Sequence, residues 1–161
     1  GNKGSYCEGG IRVPLIIRWP GKAKAGAECR TPVISMDLYP TCLAAAGLPP
    51  HPPQHRDGLD LRPLLAGGEA LDRDALHWHY PHYNGHPHAV PSSVIRKGDW
   101  KLIETFDPKG LQLYHLGKDL SETTDLIERH PEKLAELRQD LEAWRQEVDA
   151  ELMEPNPDNR P

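Results

Sequence analysis

Apolar positions recur with different periods in different parts of this chain, and each period predicts a different kind of element. Residues 13–19 read Val-Pro-Leu-Ile-Ile-Arg-Trp, a nearly continuous apolar run that is typical of a strand buried on both faces. Apolar residues then recur at helical spacing from Met36 to Ala46, where Ser35 is the expected N-cap and Gly47 the expected stop. This first part predicts a strand followed by a helix, as in a layered α/β domain.

Shorter apolar runs, separated by turn residues, follow in the second half of the chain. After one helical turn at residues 61–66, four runs predict strands, at residues 76–80, 93–96, 100–103 and 111–114. Residues 97–99 and 106–110 are the expected tight turns between the later strands. Strands this close together in sequence predict an antiparallel meander.

The last predicted element is a long amphipathic helix that begins at Pro131. Its apolar positions recur at spacings of three and four residues: Leu134, Leu137, Leu141, Trp144 and Val148. Because the other positions are mostly charged, the apolar stripe must be buried, and the sheet is the surface available to it. The fold class is therefore an α/β fragment, residues 1–70, followed by an α+β subdomain, residues 71–161, with a small antiparallel sheet covered by the C-terminal helix.

Composition and charge exclude several classes of protein. The chain has 161 residues and a formal net charge of −5, which argues against a general nucleic-acid binder. Its longest apolar run is far shorter than the roughly 18 residues that a membrane span needs. The three cysteines, Cys7, Cys29 and Cys42, are too few and too scattered for a zinc knuckle or a disulfide framework. Their count does not decide the redox compartment.

Two clusters of residues carry candidate chemistry. In the first, glycines at positions 4, 9 and 10 permit turns and close approach to a ligand, and Lys3 offers a point charge to an anion. A plain turn with a solvated Lys3 explains the same residues. The second cluster contains five histidines, His77, His79, His82, His86 and His88. These suit a metal site, a set of solvated or core side chains, or contacts to a ligand.

The order of motifs along almost the whole chain closely resembles the C-terminal portion of the type I, formylglycine-dependent sulfatases of the arylsulfatase family. The resemblance is carried by Lys3-Gly4, the sequence Glu8-Gly9-Gly10-Ile11-Arg12-Val13-Pro14, the apolar run and Trp19-Pro20-Gly21. It continues through residues 32–41, Asp57-Gly58-Leu59-Asp60-Leu61, residues 95–103 and Leu113-Tyr114-His115-Leu116.

This resemblance implies an alkaline-phosphatase-like enzyme that hydrolyses sulfate esters of carbohydrates or aryl compounds. Lys3 matches the lysine that contacts a sulfate oxygen, and His79 and His82 match a loop that faces the substrate pocket. The formylglycine nucleophile and the calcium ligands are expected in a missing N-terminal half, because no cysteine here is followed by the required motif and no metal ligand set is evident. The fragment alone is expected to be inactive, and residues 13–46 are expected to drive self-association.

The resemblance also implies a periplasmic or extracellular enzyme. Two alternatives are kept. The first is a phosphatase or phosphodiesterase of the same superfamily, which the nucleophile motif would distinguish. The second is a non-catalytic, histidine-rich metal-binding module, which metal analysis would distinguish.

Overall fold

The computed structural model describes residues 1–154 and divides the chain into two compact units. The first unit combines residues 1–13 with the chain from Asp74 onward, and the second consists of residues 14–73. Residues 1–13, which carry the candidate lysine, therefore pack with the C-terminal sheet. The assignment of residues 1–70 to the large domain of a complete enzyme stays a prediction.

A four-stranded antiparallel sheet forms the centre of the first unit. Its strands are β1 (Ala75–Tyr80), β2 (Ser92–Lys97), β3 (Trp100–Phe106) and β4 (Lys109–His115), and they lie side by side in chain order. The predicted meander is confirmed, and each strand is slightly longer than the apolar run that predicted it. Gly98 has a φ of 57° in the turn between β2 and β3, a conformation that glycine adopts without strain.

The C-terminal helix covers one face of this sheet, as the amphipathic pattern predicts. Helix α4 runs from Pro131 to Glu147, and its Leu137 and Leu141 are fully buried against the sheet residues Ile95, Leu102 and Leu113. Full burial of a leucine side chain contributes about 1.5–3 kcal/mol to folding. This apolar layer fixes the sheet on which the candidate site is built.

The opposite face of the sheet receives the N-terminal segment. A second buried cluster contains Val94, Ile103, Tyr114 and Leu116, with Tyr6, Cys7 and Trp78 packed against it. Directly after these contacts the chain forms the single-turn helix α1, Glu8–Ile11. The two faces are therefore covered by segments from opposite ends of the chain.

The second unit contains short helices joined by loops. Ser35–Asp37 is a 3-10 turn that continues into α2 (Leu38–Ala45), and α3 spans Arg62–Leu65. The predicted N-cap at Ser35 is wrong. Ile34 is the N-cap of the 3-10 turn, where its backbone N–H donates to the carboxylate of Asp37 at 2.9 Å, and Asp37 is the N-cap of α2. The short turn predicted at residues 61–66 is confirmed.

The strand predicted at residues 13–19 does not form in this structure. The segment has no regular secondary structure, and its apolar side chains are largely exposed, with Val13 at 76% and Ile16 at 91%. A strand requires backbone hydrogen bonds from a neighbouring strand, and within residues 1–154 this segment pairs with none. No helix within residues 1–154 has both the length and the apolar character to cross a membrane.

Candidate active site

The candidate lysine lies in a tight turn at the start of the chain. The backbone N–H of Ser5 donates to the carbonyl oxygen of Asn2 at 3.0 Å, and the Ser5 hydroxyl donates to the same oxygen at 2.8 Å. Gly4 has a φ of 89°, which favours glycine because a side chain there is strained. Lys3 is exposed in this turn, and within the described residues its ammonium makes no ion pair.

Two glycines let this turn approach helix α1 closely. A Cβ atom at Gly10 would lie 2.0 Å from the carbonyl oxygen of Ser5 and 2.7 Å from that of Asn2. A Cβ at Gly9 would lie 2.0 Å from the carbonyl oxygen of Gly1. The backbone of the turn therefore rests directly on the glycine pair, and any side chain there would displace it.

A buried ion network fastens helix α1 to the sheet. Lys101 is fully buried in β3, and its Nζ donates to Glu8 Oε1 at 3.1 Å and to Glu122 Oε1 at 2.8 Å. The second oxygen of Glu122 accepts the backbone N–H of Glu8 at 2.6 Å. Glu122 thus binds both the side chain of the strand lysine and the main chain of the helix. We call Glu8, Lys101 and Glu122 the buried triad.

Two arginines supply further positive charge to the buried triad. The guanidinium groups of Arg12 and Arg96 each lie 3.7 Å from Glu8 Oε2. This oxygen is buried and accepts no hydrogen bond from the described residues. The negative charge of Glu8 is therefore balanced by three cations, while one of its oxygens is held by charge alone.

The histidine-rich segment reaches the turn that carries Lys3. A Cβ at Gly4 would lie 2.2 Å from His86 Nδ1, so the imidazole of His86 lies directly over this glycine. His86 Nδ1 accepts the backbone N–H of His88 at 3.3 Å, and the two rings have centroids 5.7 Å apart. The sequence places His86 only among five clustered histidines, because its proximity to the turn of Lys3 depends on long-range folding.

The two histidines predicted to bind substrate have different surroundings. His79 Nδ1 lies 2.6 Å from the Ser93 hydroxyl, and His79 Nε2 lies 2.7 Å from the carbonyl oxygen of Glu151. Both of its ring nitrogens are therefore engaged within the fold. His82 is exposed, and its ring contacts that of Tyr80 at a centroid distance of 5.3 Å. Of the two, His82 is the more available to a ligand.

The histidines do not form a metal cluster in the part of the chain that the structure describes. No group of three or more histidine, cysteine, aspartate or glutamate side chains among residues 1–154 could hold a metal ion. His77 instead stacks on Trp144, with ring centroids 4.5 Å apart and planes 3° apart. The geometry gives no support to the metal-binding alternative, and these residues do not fit a calcium site.

Two tyrosines near the site remain protonated well above neutral pH. Burial raises the pKa of Tyr6 to about 12, with a smaller effect from Tyr80. A hydrogen bond to the carboxylate of Asp107 raises the pKa of Tyr83. Both phenols are therefore neutral hydrogen-bond donors at neutral pH, and that of Tyr83 donates to Asp107.

The fold and these groups define a class of site. The exposed ammonium of Lys3 lies on a glycine-rich turn that packs against helix α1, and the imidazole of His86 lies over Gly4 of this turn. Such an arrangement suits the oxygens of an anionic ester. The chain belongs to the family described as N-sulphoglucosamine sulphohydrolase, C-terminal, whose model matches residues 2–150. This membership confirms the sulfatase resemblance and favours it over the phosphatase alternative.

Individual relatives agree with this assignment. A sulfatase of Formosa agariphila (strain DSM 15362 / KCTC 12365 / LMG 23005 / KMM 3901 / M-2Alg 35-1) is 34% identical over 157 residues, which cover 88% of this chain and 28% of that protein. The structure of BT4656 in complex with its substrate D-glucosamine-2-N,6-O-disulfate has a TM-score of 0.72 and 29% identity, and the match covers 83% of this chain and 28% of that one.

A second solved structure is similarly close. Ps i-CgsB in complex with k-i-k-neocarrahexaose has a TM-score of 0.71 and 31% identity, with 89% of this chain and 31% of that chain covered. The predicted fold class is thereby confirmed. The chain spans less than a third of the length of each of these three relatives.

Proposed function

We propose that this chain forms the C-terminal part of a sulfatase that hydrolyses sulfate esters of carbohydrates. The observation that carries the proposal is the family match over residues 2–150. A carbohydrate substrate is favoured because two of the similar structures, BT4656 and Ps i-CgsB, hold a glucosamine disulfate and a neocarrahexaose. The same proposal includes an N-terminal part of the enzyme outside this chain and a periplasmic or extracellular location. It also includes self-association through residues 13–46.

Lys3 is the proposed catalytic residue of this chain. Its ammonium would contact a sulfate oxygen and stabilise the negative charge that grows as the ester bond breaks, which a fixed cation does without reorganising. Its exposure, its lack of an ion pair among the described residues and the braced turn support this role. The proposed formylglycine nucleophile and calcium would lie elsewhere in the enzyme and supply the attack on sulfur and its polarisation.

His79 and His82 are proposed to act on substrate choice. An exposed imidazole at position 82 is free to donate to sulfate or sugar oxygens, and Tyr83 beside it is exposed for stacking on a sugar. His79 already binds Ser93 and the backbone of Glu151, so its contribution would act through the shape of the loop.

The test uses the complete enzyme and three substrates: a small aryl sulfate, a sulfated glucosamine and an aryl phosphate. Lys3→Ala is expected to lower kcat about 10²–10³-fold on both sulfates, whereas the exposed Lys118→Ala is the matched control and leaves kcat unchanged. An unchanged kcat in Lys3→Ala would contradict the catalytic role. A higher kcat/KM on the phosphate than on the sulfates would favour the phosphatase alternative.

The histidines are tested on the same substrates. His82→Ala is expected to lower kcat/KM on the sulfated sugar far more than on the aryl sulfate. Equal losses on the two substrates would place the residue in the fold or the catalytic machinery instead, and His79→Ala is judged by the same comparison. The chain alone should match a buffer blank.

A further inference from the structure

We propose that Lys101 and Glu122 are positioning residues that hold Lys3 in place by acting through Glu8. The inference rests on the proposed catalytic role of Lys3 and adds to it the route by which the C-terminal sheet fixes that side chain. It is carried by the juxtaposition of the buried triad, the glycine pair and the turn at residues 2–5.

The three charged side chains of the triad are buried together. The side chains of Lys101, Glu8 and Glu122 are 0%, 6% and 2% exposed. Removing charged groups from water is costly, and packed apolar residues of similar volume are often as stabilising as a buried ion pair. Stability alone therefore explains this network poorly. Directional hydrogen bonds between segments far apart in sequence serve instead to fix one arrangement.

Glu122 binds Lys101 and the main chain of helix α1 at the same time. One oxygen of Glu122 accepts from Lys101, and the other accepts the backbone N–H of Glu8. Glu122 has a φ of 56°, an uncommon and costly conformation for a residue with a side chain. Its loop is held by Asp119, whose carboxylate accepts the backbone N–H groups of Thr123 and Thr124 at 2.8 and 2.9 Å. The surrounding loop thus maintains an unfavourable backbone conformation that aims Glu122 at the main chain of Glu8.

Glu8 is connected to the turn that carries Lys3 through the two glycines that follow it. Gly9 and Gly10 directly follow Glu8, and the turn carrying Lys3 packs on their Cα atoms without room for a methyl group. A shift of helix α1 must therefore shift the turn. Misplacing a reacting group by 1 Å can cost about 10²-fold in rate, so a loosened helix would reduce catalysis without altering any group that touches the substrate.

The test is a double-mutant cycle in the complete enzyme, with kcat measured on a small aryl sulfate per folded molecule. Lys101→Met is expected to lower kcat at least about tenfold with little change in KM. In the Lys3→Ala background, the same substitution should change kcat less than about twofold, because the group it positions is already absent. Equal effects of Lys101→Met in the two backgrounds would overturn the inference.

Two further variants keep the test decisive. Glu8→Gln retains the shape and an acceptor oxygen and decides the question if Lys101→Met does not fold. It too should lower kcat in the presence of Lys3 and not in its absence, and an unchanged kcat would overturn the inference. Lys97→Met is the matched control, because Lys97 is an ion-paired lysine of the same sheet, 2.9 Å from Asp140 and 3.1 Å from Asp74. It should leave kcat unchanged.

The failure of this inference is distinguishable from the failure of the proposed function. If Lys3→Ala alone leaves kcat intact, the proposed role of Lys3 is wrong. If Lys3→Ala lowers kcat and the effects of Lys101→Met and Lys3→Ala multiply independently, Lys3 keeps its role and the buried triad affects kcat by a route other than Lys3.

Discussion

The two units of this protein each bury a carboxylate, and the two carboxylates are bound in different ways. In the second unit, Asp37 is fully buried, and each of its oxygens accepts two hydrogen bonds. The backbone N–H of Leu59 and the guanidinium of Arg73 donate to Oδ1. The backbone N–H of Ile34 and the same guanidinium donate to Oδ2. In the first unit, Glu8 has one oxygen bound to a lysine and one without a hydrogen bond from residues 1–154.

This difference shows two uses of a buried negative charge. The hydrogen bonds of Asp37 join three segments of the second unit, and no oxygen is left over for a ligand or a movement. The Glu8 carboxylate accepts one direct hydrogen bond, from Lys101, and two guanidinium groups lie 3.7 Å from its other oxygen. Asp37 leaves no acceptor unused, whereas Glu8 is fixed through one oxygen and its backbone N–H and keeps a second oxygen without a hydrogen bond from the described residues.

The largest expected effect comes from turning each carboxylate into its amide. Asp37→Asn must place an NH₂ group against two donors in either orientation, so it should cost about 3–5 kcal/mol in the free energy of unfolding. Glu8→Gln can direct its NH₂ group to the oxygen position that has no donor, so its cost should be about 1–2 kcal/mol. Urea denaturation of both variants measures the difference.

An equal loss of stability in the two variants would contradict the contrast between saturated and unsaturated carboxylates. Arg62→Gln is the control for the second unit. The ion pair of Arg62 with Asp60 is close, at 2.7 Å, but half of the arginine side chain is exposed. Because solvent replaces most of the lost interaction, the free energy of unfolding of Arg62→Gln should change little.

The sequence predicted local elements better than it predicted these charges. Helix α4 and strands β1–β4 follow from apolar periods within single short segments, which are visible without knowledge of the fold. The apolar run at residues 13–19 indicates a preference for burial but does not specify the strand that must pair with it, and the structure leaves it unpaired.

The buried triad was not predicted because its members are far apart in sequence. Glu8 and Lys101 are 93 residues apart, and Glu8 and Glu122 are 114 apart, so their pairing depends on the finished fold. One signal was present: Lys101 lies inside the apolar run of β3, next to Leu102. A lysine at an interior position of a central strand needs a buried partner. The role of Glu8 as a structural anchor is consistent with the glycines that follow it.

A smaller effect is expected from pH in the second unit. Burial raises the pKa of Asp37, but the hydrogen bonds from Arg73 and from the backbone of Ile34 and Leu59 outweigh it, so the pKa lies below its ordinary value of 3.8. The ionised carboxylate therefore stabilises the folded state fully above that value. This stabilisation is lost as the pH falls through the folded-state pKa.

Unfolding free energies of the wild type and Asp37→Asn, measured between neutral and acidic pH, test this sign. The wild type should lose more stability than the variant as the pH drops below 3.8, since the variant has no proton to take up at this position. Parallel pH dependences in the two proteins would show that the pKa of Asp37 is the same in the folded and unfolded states.

The smallest effect is expected from an exposed pair on α4, which sets the scale for the buried ones. Lys133 and Glu136 form an ion pair one turn apart, with side chains that are 30% and 44% exposed. Water solvates both groups when the pair is broken, so the coupling energy from Lys133→Gln, Glu136→Gln and the double variant should be about 0.2–0.5 kcal/mol. The coupling should weaken further at high salt, because solvent-exposed charges are screened. A coupling above about 1 kcal/mol would show that exposure does not separate this pair from the buried networks.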